Sequence, residues 1–166
     1  MKHTVLVVGA ETMSRIIDYS DRSTCILFGD GAGAAIISAG EEQEKGIVDI
    51  HISADGTFSD FLMTPLPSKD TKDCFVQMKG NETFKLAVKT LSADVVDMLA
   101  KNQIDISAVS HFIPHQANYR IIKAVGDTLG ISDDKTVLTV GKYGNTSGAS
   151  IPMAINDAYE SGRLKN

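Results

Sequence analysis

Two polar side chains, His115 and Asn145, occupy equivalent places along the sequence. Each lies in a loop that follows an apolar, strand-like run and precedes a helical pattern. His115 belongs to PHQAN, after the run at 108–113, and Asn145 belongs to GKYGNTSGAS, after the run at 136–140. Open α/β sheets build their functional sites in the loops beyond the carboxyl ends of the strands. The pattern therefore predicts that both side chains are directed at one site.

A neutral imidazole and a carboxamide both donate hydrogen bonds, so this pair is suited to stabilising an oxyanion or an enolate. Both residues precede predicted helices, whose N-terminal dipoles favour negative charge. We expect that field to lower the pKa of His115 and to keep its ring a neutral donor at neutral pH. The alternative is that His115 is a structural histidine and that Asn145 only stabilises a turn.

Strand-like runs alternate with helical periodicity along the chain. Further strands are predicted at 4–8, 34–38 and 47–53. The first of them, TVLVV, is continuously apolar, which is typical of a strand buried on both faces. A charged run at 40–46, GEEQEKG, is the best candidate for an internal boundary. The alternation predicts an α/β fold whose mostly parallel sheet is flanked by helices.

Apolar residues at three- and four-residue spacing predict three helices. The first has Asn81 as its N-cap and an apolar face formed by Phe84, Val88, Leu91, Val95 and Met98. The second ends at Gly130 and has an apolar face formed by Ile121, Ile122, Val125 and Leu129. The third covers about 152–161 and stops at Gly162.

The composition restricts the class of protein. With 166 residues, of which 43% are hydrophobic and 22% charged, the chain is a globular protein of about one domain. Its net charge of −5 argues against a broad nucleic-acid surface. No apolar run approaches the roughly 20 residues that cross a bilayer, and the first residues lack a signal-peptide pattern. Two cysteines without a motif indicate a reducing compartment, so we expect a cytoplasmic protein without a membrane partner.

Three other motifs were weighed and rejected. GDGAGA at 29–34 precedes a strand-like run, whereas a dinucleotide-binding loop must open a helix. His111 and His115 are four residues apart, but no cysteine or third ligand is near, so the sequence does not predict a zinc site. Ser147 lacks the G-x-S-x-G pattern of a hydrolase nucleophile.

Five segments carry a family resemblance, in this order: DRSTCILFGDGAGAAII at 21–37, ADGTFSD at 54–60, GNETFKLAV at 80–88, PHQAN at 114–118 and GNTSGAS at 144–150. They resemble the corresponding segments of β-ketoacyl-acyl-carrier-protein synthase III, an acyltransferase that initiates type II fatty acid synthesis. The resemblance implies a thiolase-like α/β fold. Residues 1–40 would be the tail of its N-terminal half, and residues 41–166 a C-terminal half of βαβαβ type without its final strands.

The resemblance also implies an activity and a set of site residues. The family joins acyl-CoA to malonyl-acyl carrier protein by decarboxylative Claisen condensation, without metal or other cofactor, and gives 3-oxoacyl-acyl carrier protein. His115 and Asn145 match its catalytic histidine and asparagine. Five residues match its CoA- and pantetheine-binding positions: Arg22, Gly80, Phe84, Ala117 and Asn118. Lys85 and Arg120 match basic residues that contact the acidic acyl carrier protein, although both equally fit a solvated helix face, and Phe84 equally fits a core position.

One part of the family pattern is absent from this chain. The family's nucleophilic cysteine lies in a segment resembling ACAG, which would precede Met1, and neither Cys25 nor Cys74 replaces it. We therefore expect a partial synthase that is inactive alone, leaves apolar surface uncovered and lacks the dimer contact of the homodimeric parent. Two alternatives stay open. One is a related condensing enzyme of polyketide, quinolone or hydroxymethylglutaryl type, and the other is a non-catalytic module that binds CoA or acyl carrier protein.

Overall fold

The computed structural model describes residues 3–40, 46–69 and 74–164. The strands and helices in chain order are β1 (Thr4–Glu11), α1 (Arg22–Cys25), β2 (Gly31–Ser38), β3 (Leu62–Met63), β4 (Gln77–Met78), α2 (Gly80–Lys101), α3 (Tyr119–Leu129), α4 (Val140–Tyr143) and α5 (Ser150–Glu160). Short 3-10 turns cover Met13–Arg15, Gly56–Phe58, Ile106–Ala108 and Ser147–Ala149. The predicted boundary at 40–46 falls largely on residues outside the described ranges, so the division into 1–40 and 41–166 stays a prediction.

β1 and β2 form a long antiparallel ribbon, with Thr4 opposite Ser38 and Glu11 opposite Gly31. The strand predicted at 4–8 is confirmed, but its predicted burial on both faces is wrong, because Val5 to Val8 are each 50–63% exposed. Within the described residues β2 is the only strand that pairs with β1, so the sheet has no third strand here. The uncovered apolar surface expected from the family resemblance is found here.

The ribbon lies against the start of α5, and two glycines permit the close approach. A Cβ atom at Gly33 would lie 2.8 Å from the Cβ of Pro152, and one at Gly9 would overlap the carbonyl oxygen of Gly148. Side chains at either position would separate the ribbon from α5. The glycines therefore bring the N-terminal strands next to the loop that carries Asn145.

The segment at 47–53 is not a strand, which corrects the sequence prediction. Its apolar side chains are 60–88% exposed: Ile47, Val48, Ile50 and Ile52. A strand needs a hydrogen-bonded neighbour, and within the described residues no strand pairs with this segment. Instead, β3 and β4 form a short antiparallel pair in which Leu62 lies opposite Met78.

The three predicted helices are present. α2 begins at Gly80 after Lys79 as its N-cap, so the predicted N-cap at Asn81 is wrong by two residues. α3 buries three residues of its predicted apolar face, Ile121, Ile122 and Val125, and leaves Leu129 half-buried. Gly130 ends the helix in a left-handed conformation (φ 70°), as predicted. α5 begins two residues earlier than predicted, at Ser150. No helix in the described part of the chain has the length and apolarity of a membrane span.

The predicted strands at 108–113 and 136–140 lie side by side in the expected parallel direction, but they pair over a single bridge. The Phe112 N–H donates to the carbonyl of Lys135 and the Val137 N–H donates to the carbonyl of Phe112, both at 2.9 Å. Pro114 has no N–H and Val140 already begins α4, so the ladder cannot extend. Both ladders of the described residues are antiparallel, and parallel pairing is limited to single bridges, which differs from the mostly parallel sheet predicted.

The core lies beneath the two loops that carry His115 and Asn145. Val137 from the second strand-like segment packs with Ala154 and Ala158 of α5, all at most 2% exposed, and Ile113 and Leu164 pack against this cluster. α3 buries its own apolar residues and packs against α2. Both loops are therefore supported by well-packed elements.

Candidate active site

The backbone of Asn145 is held by the segment that precedes β2. Its N–H donates to the carbonyl of Leu27 at 2.8 Å, and its carbonyl accepts from the Gly29 N–H at 3.0 Å. Gly144 has φ 73°, and a Cβ atom there would lie 3.1 Å from the Leu27 oxygen. Only glycine adopts this conformation without strain. The side-chain oxygen of Asn145 accepts from the Ser147 N–H at 3.0 Å, which leaves the amide Nδ2 as a donor.

The ring of His115 rests on the first residue of α5. Its Nδ1 lies 2.6 Å from Oγ of Ser150, a residue only 2% exposed. Burial lowers the pKa of His115 below its ordinary value of 6.5, because it disfavours the charged ring. The predicted direction of the pKa shift is correct, and desolvation by burial is its cause in the structure.

Gln116 connects the two loops from within the core. It is 1% exposed, and its side chain makes hydrogen bonds at both ends. Its Nε2 donates to the carbonyls of Pro114 (2.9 Å) and Val137 (3.1 Å). Its Oε1 accepts from the backbone N–H groups of Thr139 (2.7 Å) and Val140 (3.1 Å). This one side chain therefore sets the distance between the loop of His115 and the segment that leads to Asn145.

His115 and Asn145 line one cavity of about 500 Å³. The remaining polar part of the lining comes from Thr64, Ser147, Gly148 and Ser150. The larger part is apolar and consists of Met13, Ile16, Phe28, Leu62, Met63, Val76 and Ile151. Hydrogen-bond donors in such an apolar surrounding interact more strongly with a developing negative charge than they do in water. The arrangement is suited to stabilising an oxyanion or an enolate.

A second cavity, of about 400 Å³, collects four residues singled out in the sequence: Gly80, Phe84, Asn118 and Arg120. The guanidinium carbon of Arg120 lies 5.4 Å from the centre of the Phe84 ring, a cation–π contact. Oδ1 of Asn118 caps α3 by accepting from the Ile121 N–H at 2.9 Å, which leaves its Nδ2 as a donor. A positive charge, an aromatic face and an amide donor thus meet at this cavity.

The two cavities have neighbouring walls. Leu27 lines the second cavity, and the next residue, Phe28, lines the first. On another side, Met78 of the second cavity pairs across β3 and β4 with Leu62 of the first. A long, narrow ligand that extends along these walls would have one end at Arg120 and the other at His115.

The structure does not bring every predicted site residue to these cavities. Arg22 is exposed on α1, Lys85 is exposed on α2, and neither lines the cavity of His115 and Asn145 or the second cavity. Ala117 contributes a backbone N–H that donates to the carbonyl of His115 at 2.9 Å. Cys25 and Cys74 are free thiols, and neither lines the cavity of His115 and Asn145.

Two residues of the site were missed in the sequence. Ser150 ends the glycine-rich loop and opens the last helix, and Gln116 follows His115 directly. The available signals were a polar residue directly after His115 and another five residues after Asn145. The partner of each, however, is 21 or more residues away along the chain, and the sequence pattern does not indicate that pairing.

Comparisons with known proteins point to one family. The family described as 3-oxoacyl-[acyl-carrier-protein (ACP)] synthase III matches residues 1–56, and the C-terminal region of the same synthase matches residues 99–166. Beta-ketoacyl-[acyl-carrier-protein] synthase III of Sulfurovum sp. is 65% identical over 174 residues, which cover 99% of this chain and 51% of that protein. The chain spans about half the length of the curated relatives that it matches.

Solved structures show the same similarity. 3-Oxoacyl-(acyl carrier protein) synthase III from Pseudomonas aeruginosa superimposes with a TM-score of 0.92 at 38% identity, covering 98% of this chain and 51% of that one. The synthase III of Aquifex aeolicus gives a TM-score of 0.90 at 40% identity, covering 98% of this chain and 50% of that one. The fold is therefore the thiolase-like α/β fold of condensing enzymes. The chain belongs to the 3-oxoacyl-[acyl-carrier-protein] synthase III family and corresponds to its C-terminal part.

Proposed function

We propose that this chain carries the decarboxylation site of a condensing enzyme that joins acyl-CoA to malonyl-acyl carrier protein. The product is 3-oxoacyl-acyl carrier protein. The observation that carries the proposal is that His115 and Asn145 line one mostly apolar cavity, next to a second cavity suited to a long thioester arm.

In this proposal the thioester carbonyl oxygen of the malonyl group accepts hydrogen bonds from the His115 ring and the Asn145 amide. The bond between the α-carbon and the carboxylate breaks, CO2 leaves, and the electron pair remains as an enolate. The two donors stabilise the negative oxygen of that enolate. The α-carbon then attacks the carbonyl of an acyl group held as a thioester on a cysteine, and the cysteine thiolate leaves.

The acyl-cysteine is not supplied by this chain's own thiols, because neither Cys25 nor Cys74 lines the cavity. We therefore expect the chain alone to release CO2 slowly from a malonyl thioester and to form no carbon–carbon bond. Without an acyl acceptor the enolate takes up a proton, and the acetyl thioester is the product.

The second cavity supports the assignment of the thioester arm. Gly80, Phe84 and Asn118 line it and would contact pantetheine, whose amides match the free donor of Asn118. Arg120 lies at the same cavity and would meet an anionic carrier. Arg22, Lys85 and Ala117 keep the roles implied by the family as proposals: the first near the CoA adenine, the second at the carrier, the third beside the arm.

Decarboxylation of malonyl-CoA by the 166-residue chain tests the proposal. We expect the rate to fall about 10²–10³-fold in His115→Ala and in Asn145→Ala, the usual cost of losing one oxyanion donor. His111→Ala is the matched control, since His111 is also half-buried but lines neither cavity. A wild-type rate no higher than that of His115→Ala would contradict the assignment.

A further inference from the structure

We propose that Ser150 is a positioning residue that holds His115 in the tautomer with its proton on Nε2. The inference rests on the proposed role of His115 as a hydrogen-bond donor, and it adds the group that makes the ring a donor toward the cavity. Ser150 contacts the other ring nitrogen, because its Oγ lies 2.6 Å from Nδ1.

The direction of this hydrogen bond follows from the other partner of the hydroxyl. The backbone N–H of Gln116 lies 3.3 Å from the same Oγ and can only donate to it. A serine hydroxyl has one hydrogen and two lone pairs, so one lone pair is occupied by Gln116. Within the described residues Nδ1 is the remaining group bonded to this oxygen, and it is the available acceptor for the hydroxyl hydrogen.

The opposite arrangement leaves a buried group unsatisfied. If Nδ1 carried the proton, the Ser150 oxygen would accept twice, and its hydrogen would have no acceptor among the described residues at a position that is 2% exposed. Unpaired polar hydrogens in such places are disfavoured. Nδ1 therefore accepts, and the neutral ring carries its hydrogen on Nε2, the nitrogen that is left to donate to a ligand in the cavity that His115 lines.

The position of the hydroxyl is itself well determined. Ser150 begins α5, and the preceding Ala149 is completely buried. Gln116 is anchored at both ends of its side chain. Asn145 follows the same logic as His115, because the Ser147 N–H occupies its side-chain oxygen and leaves the amide to donate. In both residues the protein binds the acceptor atom, so that donors face the ligand.

The tautomer can be read directly by ¹⁵N NMR of the chain labelled at histidine, with the His115 signals assigned through His115→Gln. Above the pKa of the ring we expect a protonated Nε2 and an unprotonated Nδ1. In Ser150→Ala we expect a measurable population with the proton on Nδ1. Ser150→Thr keeps the hydroxyl and should restore the wild-type pattern. Ser92→Ala is the matched control, because Ser92 is also buried but its hydroxyl has no partner among the described residues.

The rate of malonyl-CoA decarboxylation gives a second readout. We expect Ser150→Ala to lower kcat about 10-fold or more with little change in KM, because the wrong tautomer presents an acceptor to the oxyanion. A proton found on Nδ1 in the unchanged chain would overturn the inference, and that measurement needs no variant to fold. An unchanged tautomer and rate in a folded Ser150→Ala would overturn it as well. If the tautomer is as expected but no variant affects decarboxylation, the contact stands and the proposed function fails.

Discussion

The side-chain amide of Gln116 donates a hydrogen bond to the backbone carbonyl of Val137, 3.1 Å away in the core. Val137 belongs to the strand-like segment that leads toward Asn145, whereas Gln116 follows His115 directly. The two halves of the proposed donor pair are thus joined by a buried side chain, in addition to the single bridge between Phe112 and Thr136. This relationship makes the geometry of the site sensitive to one residue that does not face the cavity.

Gln116→Ala should lower the free energy of unfolding by about 3 kcal/mol, since each lost hydrogen bond costs about 1 kcal/mol and buried backbone groups are left unpaired. Urea denaturation followed by circular dichroism measures the change. Gln77→Ala, at an exposed position of β4, is the control and should stay within about 0.5 kcal/mol. A loss in Gln116→Ala no larger than in the control would show that the buried amide contributes nothing to stability.

The stability of the chain should depend on pH through His115. Burial lowers the pKa of its folded ring below 6.5, so the unfolded chain binds the proton first as the pH falls. Stability is therefore retained above the unfolded pKa and lost as the pH falls toward the folded pKa. The drop in Tm between about pH 7.5 and about pH 5.5 should be smaller in His115→Gln than in the wild type. Equal drops in the two proteins would contradict this cause.

Decarboxylation should follow the same titration. The neutral ring is the donor in the proposed mechanism, so the rate should be constant near neutral pH and fall only below the ordinary histidine pKa of 6.5. A pH–rate profile of malonyl-CoA decarboxylation measures the midpoint. A rate that rises as the ring becomes charged would instead indicate that the imidazolium is the active form.

Gly144→Ala should displace Asn145. An L-residue at φ 73° is strained by about 1–3 kcal/mol, and its Cβ would approach the Leu27 oxygen that accepts the Asn145 N–H. We expect decarboxylation to fall at least about 10-fold, together with a lower Tm. Gly141→Ala is the matched control three residues earlier, where a Cβ meets nothing within 4 Å. An active and stable Gly144→Ala would show that the Leu27 contact does not position Asn145.

Arg120→Glu should weaken the binding of holo-acyl carrier protein about 10-fold, with an effect that shrinks at high salt, because a cation at the cavity entrance becomes an anion. Surface plasmon resonance at two salt concentrations measures the change. Lys89→Glu reverses a charge at an exposed position of α2 that lines neither cavity, and it should change binding little. Equal effects of the two substitutions would point to net charge alone rather than to a docking position.

Local signals in the sequence predicted local structure well. The apolar spacing of Ile121 and Val125 and the glycine at 130 define α3 and its end, because a helix depends on residues within one or two turns. The strand at 4–8 was also predicted correctly. The exposure of this strand was not predicted, because burial depends on which other elements cover the strand. The strand predicted at 47–53 failed for the same reason, because a strand requires a distant partner.

The loops that form the candidate site were predictable from the sequence, but the contacts between them were not. The loops of His115 and Asn145 follow strand-like segments, and this was enough to predict that they serve one site. The contact of His115 with Ser150 joins residues 35 positions apart, and no periodic pattern encodes it. The pKa of His115 is lowered by burial in the folded chain. Composition and residue spacing do not predict that burial.

Two consecutive residues, Leu27 and Phe28, line the second and the first cavity respectively, so ligands in the two cavities would be thermodynamically linked. Leu27 lines the second cavity, while its carbonyl accepts the N–H of Asn145, which lines the first. A ligand arm that packs against Leu27 restricts the peptide of that residue and thereby the Asn145 backbone. Because such coupling is reciprocal, an enolate bound by Asn145 would raise the affinity for the arm by the same factor by which the arm raises the affinity for the enolate. Under the proposed function, a carrier-bound substrate would thus improve the order of the site that acts on it.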